Sequence, residues 1–409
     1  MRNSRNSIKF AKNNGVLAHL VERNTGSVEV SGSSPLCSTK IGDSALFLRL
    51  NFFICSNPLF AHEFFRMGQL KTRESNMELL RIVAMIAVIG VHLDGASLDL
   101  PAPSGSILSV PARDWWCLIV ESFTIIGVNC FTLISGYFGI KASMRSFSRF
   151  TGQCVFYSVG ICTTIMILKV ASGTGEWQWA AWGESWLVFT HSDLWYEPAY
   201  LGLFILSPVL NASVKSMTKK QFGVMLAAFV ALNVYAGWLW EGRFNANGYT
   251  IVQLMLMYLI GRYMGEYIDF GGAKRKKLQI GSFITYVATS LMIALSSIYI
   301  DNIRAFAYNS PLVILSSVAL FTTFATLRLQ SAVINRLATS AFAAYLIHKN
   351  PHIWVEYLRP FVRSMWNESD LSAFTVRYIG FTIAIFLASV VIDQFRIALS
   401  RHITVRVNS

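Results

Sequence analysis

Apolar runs of about twenty residues alternate along this chain with short polar connections, the pattern of a protein that crosses a bilayer many times. Ten such runs stand out, at roughly 79–97, 115–138, 150–171, 194–213, 221–240, 249–268, 280–300, 310–327, 337–358 and 374–395. No connection is long enough to hold a soluble domain, and no internal repeat is visible. The expectation is an all-α membrane bundle of about ten transmembrane helices.

The charges between the runs give an orientation. With the N-terminus inside, the cytoplasmic connections hold Lys71 and Arg73; Lys141, Arg145 and Arg149; Lys215, Lys219 and Lys220; Lys274-Arg-Lys-Lys277; Arg328 and Arg336; and Arg396, Arg401 and Arg406. The outer connections hold only Arg113, Arg243, Arg304, Arg359, Arg363 and Arg377. This bias predicts both termini inside. It also accounts for a net charge of +13 without nucleic acid as a partner; the expected surroundings are the lipid bilayer. Charged residues make up 14% of the chain against about 25% in a soluble domain, and mean hydropathy is +0.46. The six cysteines show no paired spacing, so they read as small buried hydrophobes rather than as a disulfide framework or zinc site.

Residues 1–66 differ in character from the rest of the chain. Arg2 to Lys40 is polar and rich in Ser, Asn and Gly, with no signal-peptide pattern. The stretch from Leu17 to Cys37 resembles the conceptual translation of a transfer-RNA gene. We therefore expect 1–66 to be a non-native or disordered extension with translation beginning at Met67. A short cytoplasmic tail at 67–78, an integral-membrane domain at 79–400 and a cytoplasmic tail at 401–409 would complete the chain.

The chemistry concentrates in the first run. It carries Arg81 near its start and His92 deep inside. An arginine at the centre of a membrane helix costs roughly 2.5–3.5 kcal/mol on the milder scales, which makes such a residue a functional candidate. Eleven residues at about 100° each return His92 to within roughly 20° of the Arg81 face, about 16 Å along the axis. Ser135 and Tyr137 close the second run, and Arg145 and Arg149 follow one turn apart. Together with Arg81 these arginines suit a clamp for phosphate groups, although for Arg145 and Arg149 alone ordinary positive-inside anchoring is the better reading. Further along lie Asp94, Glu121, Glu197, His348 and His352. The last two are four apart, but Pro351 interrupts them and no third ligand is evident, so no metal is expected. Trp177, Trp179, Trp182, Trp186 and Trp195 crowd the third outer connection; they suit an interfacial belt or, alternatively, a sugar platform. Gly261-x-x-x-Gly265 reads as small-residue helix packing.

At these residues the chain resembles the family 3 acyltransferases, ten-span membrane enzymes that O-acylate bacterial surface polysaccharides and related acceptors. Four segments carry the resemblance: Arg81-x10-His92; Phe131-Thr-Leu-Ile-Ser-Gly-Tyr-Phe138; Leu194-Trp-Tyr-Glu-Pro-Ala-Tyr200 leading to Leu206-Ser-Pro-Val-Leu210; and Ser340-Ala-Phe-Ala-Ala-Tyr-Leu-Ile-His348. The chain departs from the family where some members carry Arg-x-x-Arg, because Arg145-Ser-Phe-Ser-Arg149 is wider. The resemblance implies transfer of an acyl group, most often acetyl, from cytoplasmic acetyl-CoA or another acyl-CoA, a co-substrate rather than a resident cofactor. The acceptor would be a hydroxyl of a carbohydrate such as a surface polysaccharide or lipid-linked sugar. Arg81, with Arg145, Arg149, Ser135 and Tyr137, would hold the CoA. His92 would act as general base in its neutral form, with Arg81 beside it in the catalytic set. Glu121, Trp195, Glu197, Tyr345 and His348 would contact the acceptor. The expected place is the plasma membrane of a bacterial cell. Two other readings suit the same intramembrane residues: a proton-coupled transporter of a sugar or organic acid, and a non-catalytic partner in a polysaccharide assembly complex. The Met67 start has its own check. N-terminal sequencing of the natural product should begin there, and any peptide from residues 1–60 would rule it out.

Overall fold

In the computed structural model the described residues are 74–190, 194–240 and 244–407. The Met67 start and the 1–66 extension lie outside them. The described residues are helical, with no strand among them. Six helical segments are long and apolar enough to cross a membrane: Ser75–Leu98, Ala112–Phe138, Met144–Ala171, Lys219–Leu239, Arg275–Ser296 and Leu371–Ser400. Helix also covers the other four expected runs, but in shorter, less apolar or broken pieces.

The first helix, α1 (Ser75–Leu93), is the hub. It packs on α2 (Ala112–Thr124), α3 (Gly127–Phe138), α9 (Pro311–Ala325), α10 (Ala332–Ala338), α11 (Ala341–His348) and α13 (Leu371–Val407). A helix apolar on nearly every side belongs in the middle of a bundle, and thirteen of its nineteen residues are buried. Its polar positions therefore face protein. The second expected run is two helices: α2 ends at Thr124, and α3 starts at Gly127 after a turn. Gly127 sits on the backbone of α1, where an added Cβ would lie 2.7 Å from the Ala84 carbonyl oxygen.

Between α1 and the later helices stand α4 (Met144–Ala171), α5 (Tyr196–Ser216), α6 (Lys219–Leu232), α7 (Ile251–Tyr267) and α8 (Arg275–Ser296). The tightest pairing joins α3 to α7 through glycines. Added Cβ atoms on Gly136 and Gly261 would run into the carbonyls of Tyr258 and Leu133, and one on Gly265 would lie 2.7 Å from the Tyr137 carbonyl oxygen. Gly261-x-x-x-Gly265 thus does what small residues do between membrane helices: it lets two backbones touch. α8 and α9 pair through hydroxyls, Ser282 with Thr323 at 3.0 Å and Ser290 with Ser316 at 3.2 Å. The four described cysteines, Cys117, Cys130, Cys154 and Cys162, are buried and unbridged.

The expected run at 337–358 is not one helix. α10 and α11 are joined at Thr339–Ser340, and α11 stops at His348. Pro351 opens a new short turn, Pro351–Ile353. A wider π-type turn spans Trp354–Leu358, and α12 (Arg359–Glu368) comes next. Pro351 cannot donate a backbone N–H and clashes with a preceding turn, so the helix breaks before it. The break leaves the end of α11 inside the bundle, against α1. The last helix, α13, runs on to Val407.

Connections expected on one side meet at one end of the bundle. Asn76 donates to Phe324 O at 3.0 Å, and Arg275 donates to Thr326 O at 2.9 Å. At the other end Arg113 donates to Trp366 O at 2.9 Å, and Ser97 O accepts from Arg363 at 2.6 Å. Gly261→Val should therefore wedge α3 from α7 and cost about 1–3 kcal/mol or more of stability. Gly281→Ala, where nothing lies within 4 Å of the added Cβ, should be neutral. Thermal unfolding of both variants in detergent reads the difference.

Candidate active site

α1 carries His92 one residue before its end, and α11 carries His348 at its last position. Because α1 and α11 pack together, the two rings meet. His92 Nδ1 lies 2.9 Å from His348 Nε2. His348 Nδ1 lies 2.6 Å from the Ala344 carbonyl oxygen. That carbonyl only accepts, so Nδ1 of His348 carries a proton. In a pair of neutral imidazoles, Nε2 of His348 is then the acceptor and His92 Nδ1–H the donor. The remaining nitrogen of His92, Nε2, keeps its lone pair. The chain carbonyl–imidazole–imidazole orients His92 as a carboxylate orients the histidine of a serine hydrolase, with a second histidine in the carboxylate's place.

Aromatic rings enclose His92. Tyr345 stands 6.4 Å away by ring centroids, His348 5.2 Å, and Trp354 6.0 Å and edge-on. His348 is 1% exposed and Tyr345 7%, while His92 keeps accessible surface. Its ring faces the interior of the bundle rather than lipid.

From His92 a line of tyrosines leads back toward Arg81. Tyr345 meets Tyr196 at 5.9 Å, Tyr196 stacks on Tyr200 at 5.6 Å, and Tyr200 meets Phe150 at 5.3 Å. The hydroxyl of Tyr196 reaches Thr132, that of Tyr200 reaches Ser135, and both lie within electrostatic range of Arg81. Helices α3, α5 and α11 thus contribute one hydroxyl-bearing strip between the guanidinium and the imidazole, both of which α1 carries. Arg81 itself holds Glu78 at 2.6 Å and remains 28% exposed at its side chain. This ion pair joins positions three apart on one helix face, and Glu78 was not among the expected site residues.

The expected donor-side residues divide. Ser135 lies on the tyrosine strip. Arg145 and Arg149 stand exposed on the first turns of α4, next to Phe150, which packs on Tyr200. Tyr137 is elsewhere. Two positions on a helix are 200° apart, so Tyr137 points away from Ser135. It packs on Phe321 at 5.5 Å and lines a separate cavity of about 780 Å³ with Phe270, Arg275 and Arg328.

The expected acceptor-side residues divide too. Tyr345 and His348 touch His92. Glu197 is buried within electrostatic range of Tyr345. Trp195 packs on Tyr196, Tyr249 and Tyr308 at 5.9, 4.9 and 5.6 Å. Tyr249 and Tyr308 were not expected from the sequence. They are placed by buried amides: Gln253 donates to Tyr308 O at 2.8 Å and to Asn129 at 3.2 Å, and Asn245 donates to Asn233 at 2.6 Å. The signal was present as isolated Asn and Gln residues in apolar runs. The other four tryptophans form their own row: Trp177, Trp179, Trp182 and Trp186, with successive centroids 5.5, 6.2 and 5.8 Å apart. Trp179 is 72% exposed. The row of four and the inward-packed Trp195 are thus separate groups.

Glu121 lies apart from the imidazoles. Its carboxylate is buried against Gly95, 2.9 Å from where a Cβ would stand, beside Asp94. The two carboxylates are buried together, with the Cys117 thiol against Asp94. Asp94 therefore turns toward α2 and Cys117, leaving His348 as the partner of His92.

No curated protein and no solved structure matches the chain. A family model described as an acyltransferase domain matches residues 74–393. That stretch takes in every helix from α1 through most of α13, with both histidines and Arg81 inside it. The chain belongs to acyltransferase family 3, as a membrane acyltransferase.

Proposed function

We propose that this acyltransferase moves an acetyl group from cytoplasmic acetyl-CoA to a hydroxyl of a carbohydrate exported to the cell envelope of a bacterium, with His92 as the general base. The observation that carries the reading is the imidazole pair at the end of the tyrosine strip. Its hydrogen-bond chain leaves His92 Nε2 free to accept a proton. The strip starts at Arg81, which suits the phosphates of CoA because guanidinium binds them bidentately. Arg145 and Arg149 extend the positive charge at the same mouth. CoA held there would send its thioester along the strip toward His92. Tyr345 meets both imidazoles, Glu197 lies within electrostatic range of Tyr345, and Trp195 packs on Tyr196 at the start of α5. They offer the mix of ring faces and polar atoms that suits a sugar.

The reaction then runs in two steps. His92 Nε2 takes the proton of the acceptor hydroxyl while its oxygen attacks the thioester carbonyl. The tetrahedral intermediate collapses, the C–S bond breaks, and the imidazolium returns the proton to the CoA thiolate. No net proton is gained or lost. General-base catalysis contributes roughly 10²–10⁴-fold.

The test uses purified protein returned to membranes containing envelope polysaccharide, with radiolabelled acetyl-CoA. Wild type should place label in polysaccharide covalently. His92→Ala should lower the rate by about 10²-fold or more. His348→Ala should also be slow, and the double variant no slower than His92→Ala, because the rings act as one unit. Retention of most of the rate by His92→Ala would refute the base assignment. Uptake of a solute with no covalent label would favour a transporter.

A further inference from the structure

Tyr249 and Tyr308 make a contact that an interfacial belt does not explain. The charge pattern puts the connection that carries Tyr249 on the outer side of the bilayer. Tyr249 is 48% exposed, and Tyr308 only 4%. Their hydroxyls are hydrogen-bonded to each other, and their ring centroids are 5.0 Å apart. The polar tip of Tyr249 is thus tied inward, and what it presents outside is ring. A tyrosine of an interfacial belt instead keeps its tip among water and headgroups. The backbone fixes this pose. Asn247 and Gly248 both take left-handed φ values, 50° and 80°, and an added Cβ on Gly248 would lie 2.5 Å from the Tyr308 Cβ. Asn247 O accepts from Tyr308 N at 3.0 Å, and Asn245 O accepts from the Asn309 side chain at 2.9 Å. Buried amide pairs of this kind hold a loop rigid.

The exposed ring is continuous with the active site. Trp195 packs on Tyr249 at 4.9 Å and on Tyr308 at 5.6 Å. Trp195 then meets Tyr196 at 5.9 Å, Tyr196 meets Tyr345 at 5.9 Å, and Tyr345 meets His92 at 6.4 Å. Glu121 lies within electrostatic range of both Tyr249 and Tyr308. A carboxyl group there offers no partner to a phosphate headgroup, and it suits a hydroxyl-rich ligand. A sugar ring has polar edges and an apolar C–H face, and that face fits an exposed aromatic ring. We propose that Trp195, Tyr249 and Tyr308 form a carbohydrate subsite, in which one sugar unit of the acceptor stacks on the Tyr249 ring while another unit brings its hydroxyl to His92. This rests on the acyl-transfer reading above and gives it a substrate class: an acceptor of at least two sugar units, rather than a free monosaccharide. Trp195, Tyr196 and Tyr345 stand between the two positions, so one sugar unit does not fill both. The subsite binds and positions; no bond forms or breaks on it.

The experiment uses the full chain purified in detergent, with both faces accessible, and radiolabelled acetyl-CoA. The acceptors are oligosaccharides cut from the envelope polysaccharide of a strain lacking this chain, separated by length, and the single sugars of the same polysaccharide. Wild type should favour the oligosaccharides, by the ratio of kcat/KM, and Tyr249→Ala should lose about tenfold of that preference. The loss should lie in KM for the oligosaccharides, raised about tenfold as expected for truncating an aromatic anchor. The maximal rate and KM for acetyl-CoA should stay within about twofold. Tyr249→Phe keeps the ring and should stay within about threefold of wild type. Tyr249→Leu serves as a second ringless variant should Tyr249→Ala fail to accumulate. An unchanged KM for oligosaccharides in the ringless variants, as an interfacial belt would give, would overturn the proposal while leaving acyl transfer intact. Equal use of single sugars by wild type would overturn it too, as would a Tyr249→Phe variant as weak as Tyr249→Ala, because the hydroxyl rather than the ring would then carry the effect. A wild type that labels neither acceptor would instead remove the acyl-transfer reading, and this inference with it.

Discussion

The hydrogen bond between His92 and His348 is the contact on which the site depends. It joins the first helix of the bundle to one of the last, across 256 positions of sequence. Its direction is set from one end, because the Ala344 carbonyl can only accept. That single fact passes along two imidazoles and decides which nitrogen of His92 is basic. In an apolar interior the arrangement is also demanding. A buried polar group without a partner costs about 1–3 kcal/mol, so each ring must find its neighbour. The pair therefore holds α1 against α11 as well as orienting the base.

The fold serves this contact by placing a mostly buried helix at its centre. α1 is wrapped by six others, so Arg81 and His92 face protein instead of lipid. Close glycine contacts bring α3 to α7. Buried amides fix the loop that carries Tyr249. The break at Pro351 ends α11 where its last residue can meet α1. A continuous helix through 337–358 would carry Trp354 around a regular spiral; the broken one brings its indole to His92. Irregular backbone inside a membrane protein is tolerated where protein or a cavity surrounds it, and here it surrounds the imidazole pair.

Much of this is legible in the chain, and the limits have physical causes. The shared face of Arg81 and His92 follows from helical period alone. So does the opposite pointing of Ser135 and Tyr137, which the same period separates. The interruption at Pro351 is local chemistry and shows in the sequence. The meeting of His92 and His348 is not local, and no spacing encodes it; the resemblance placed both residues in the site without saying that they touch. The five tryptophans read as one group, yet Trp195 packs inward on Tyr308 while Trp179 stands exposed. The ten apolar runs all become helix, but hydropathy could not foresee which would be short or broken by packing.

The most direct measurement is of proton position. Nitrogen-15 NMR of the full chain labelled at histidine, with His92 assigned by its loss in His92→Gln, distinguishes the two ring nitrogens. His92 should be neutral, with its proton on Nδ1 coupled across a hydrogen bond to Nε2 of His348, and with its own Nε2 unprotonated. A proton resting on Nε2 of His92, or a His92 ring with no coupling to His348, would contradict that arrangement.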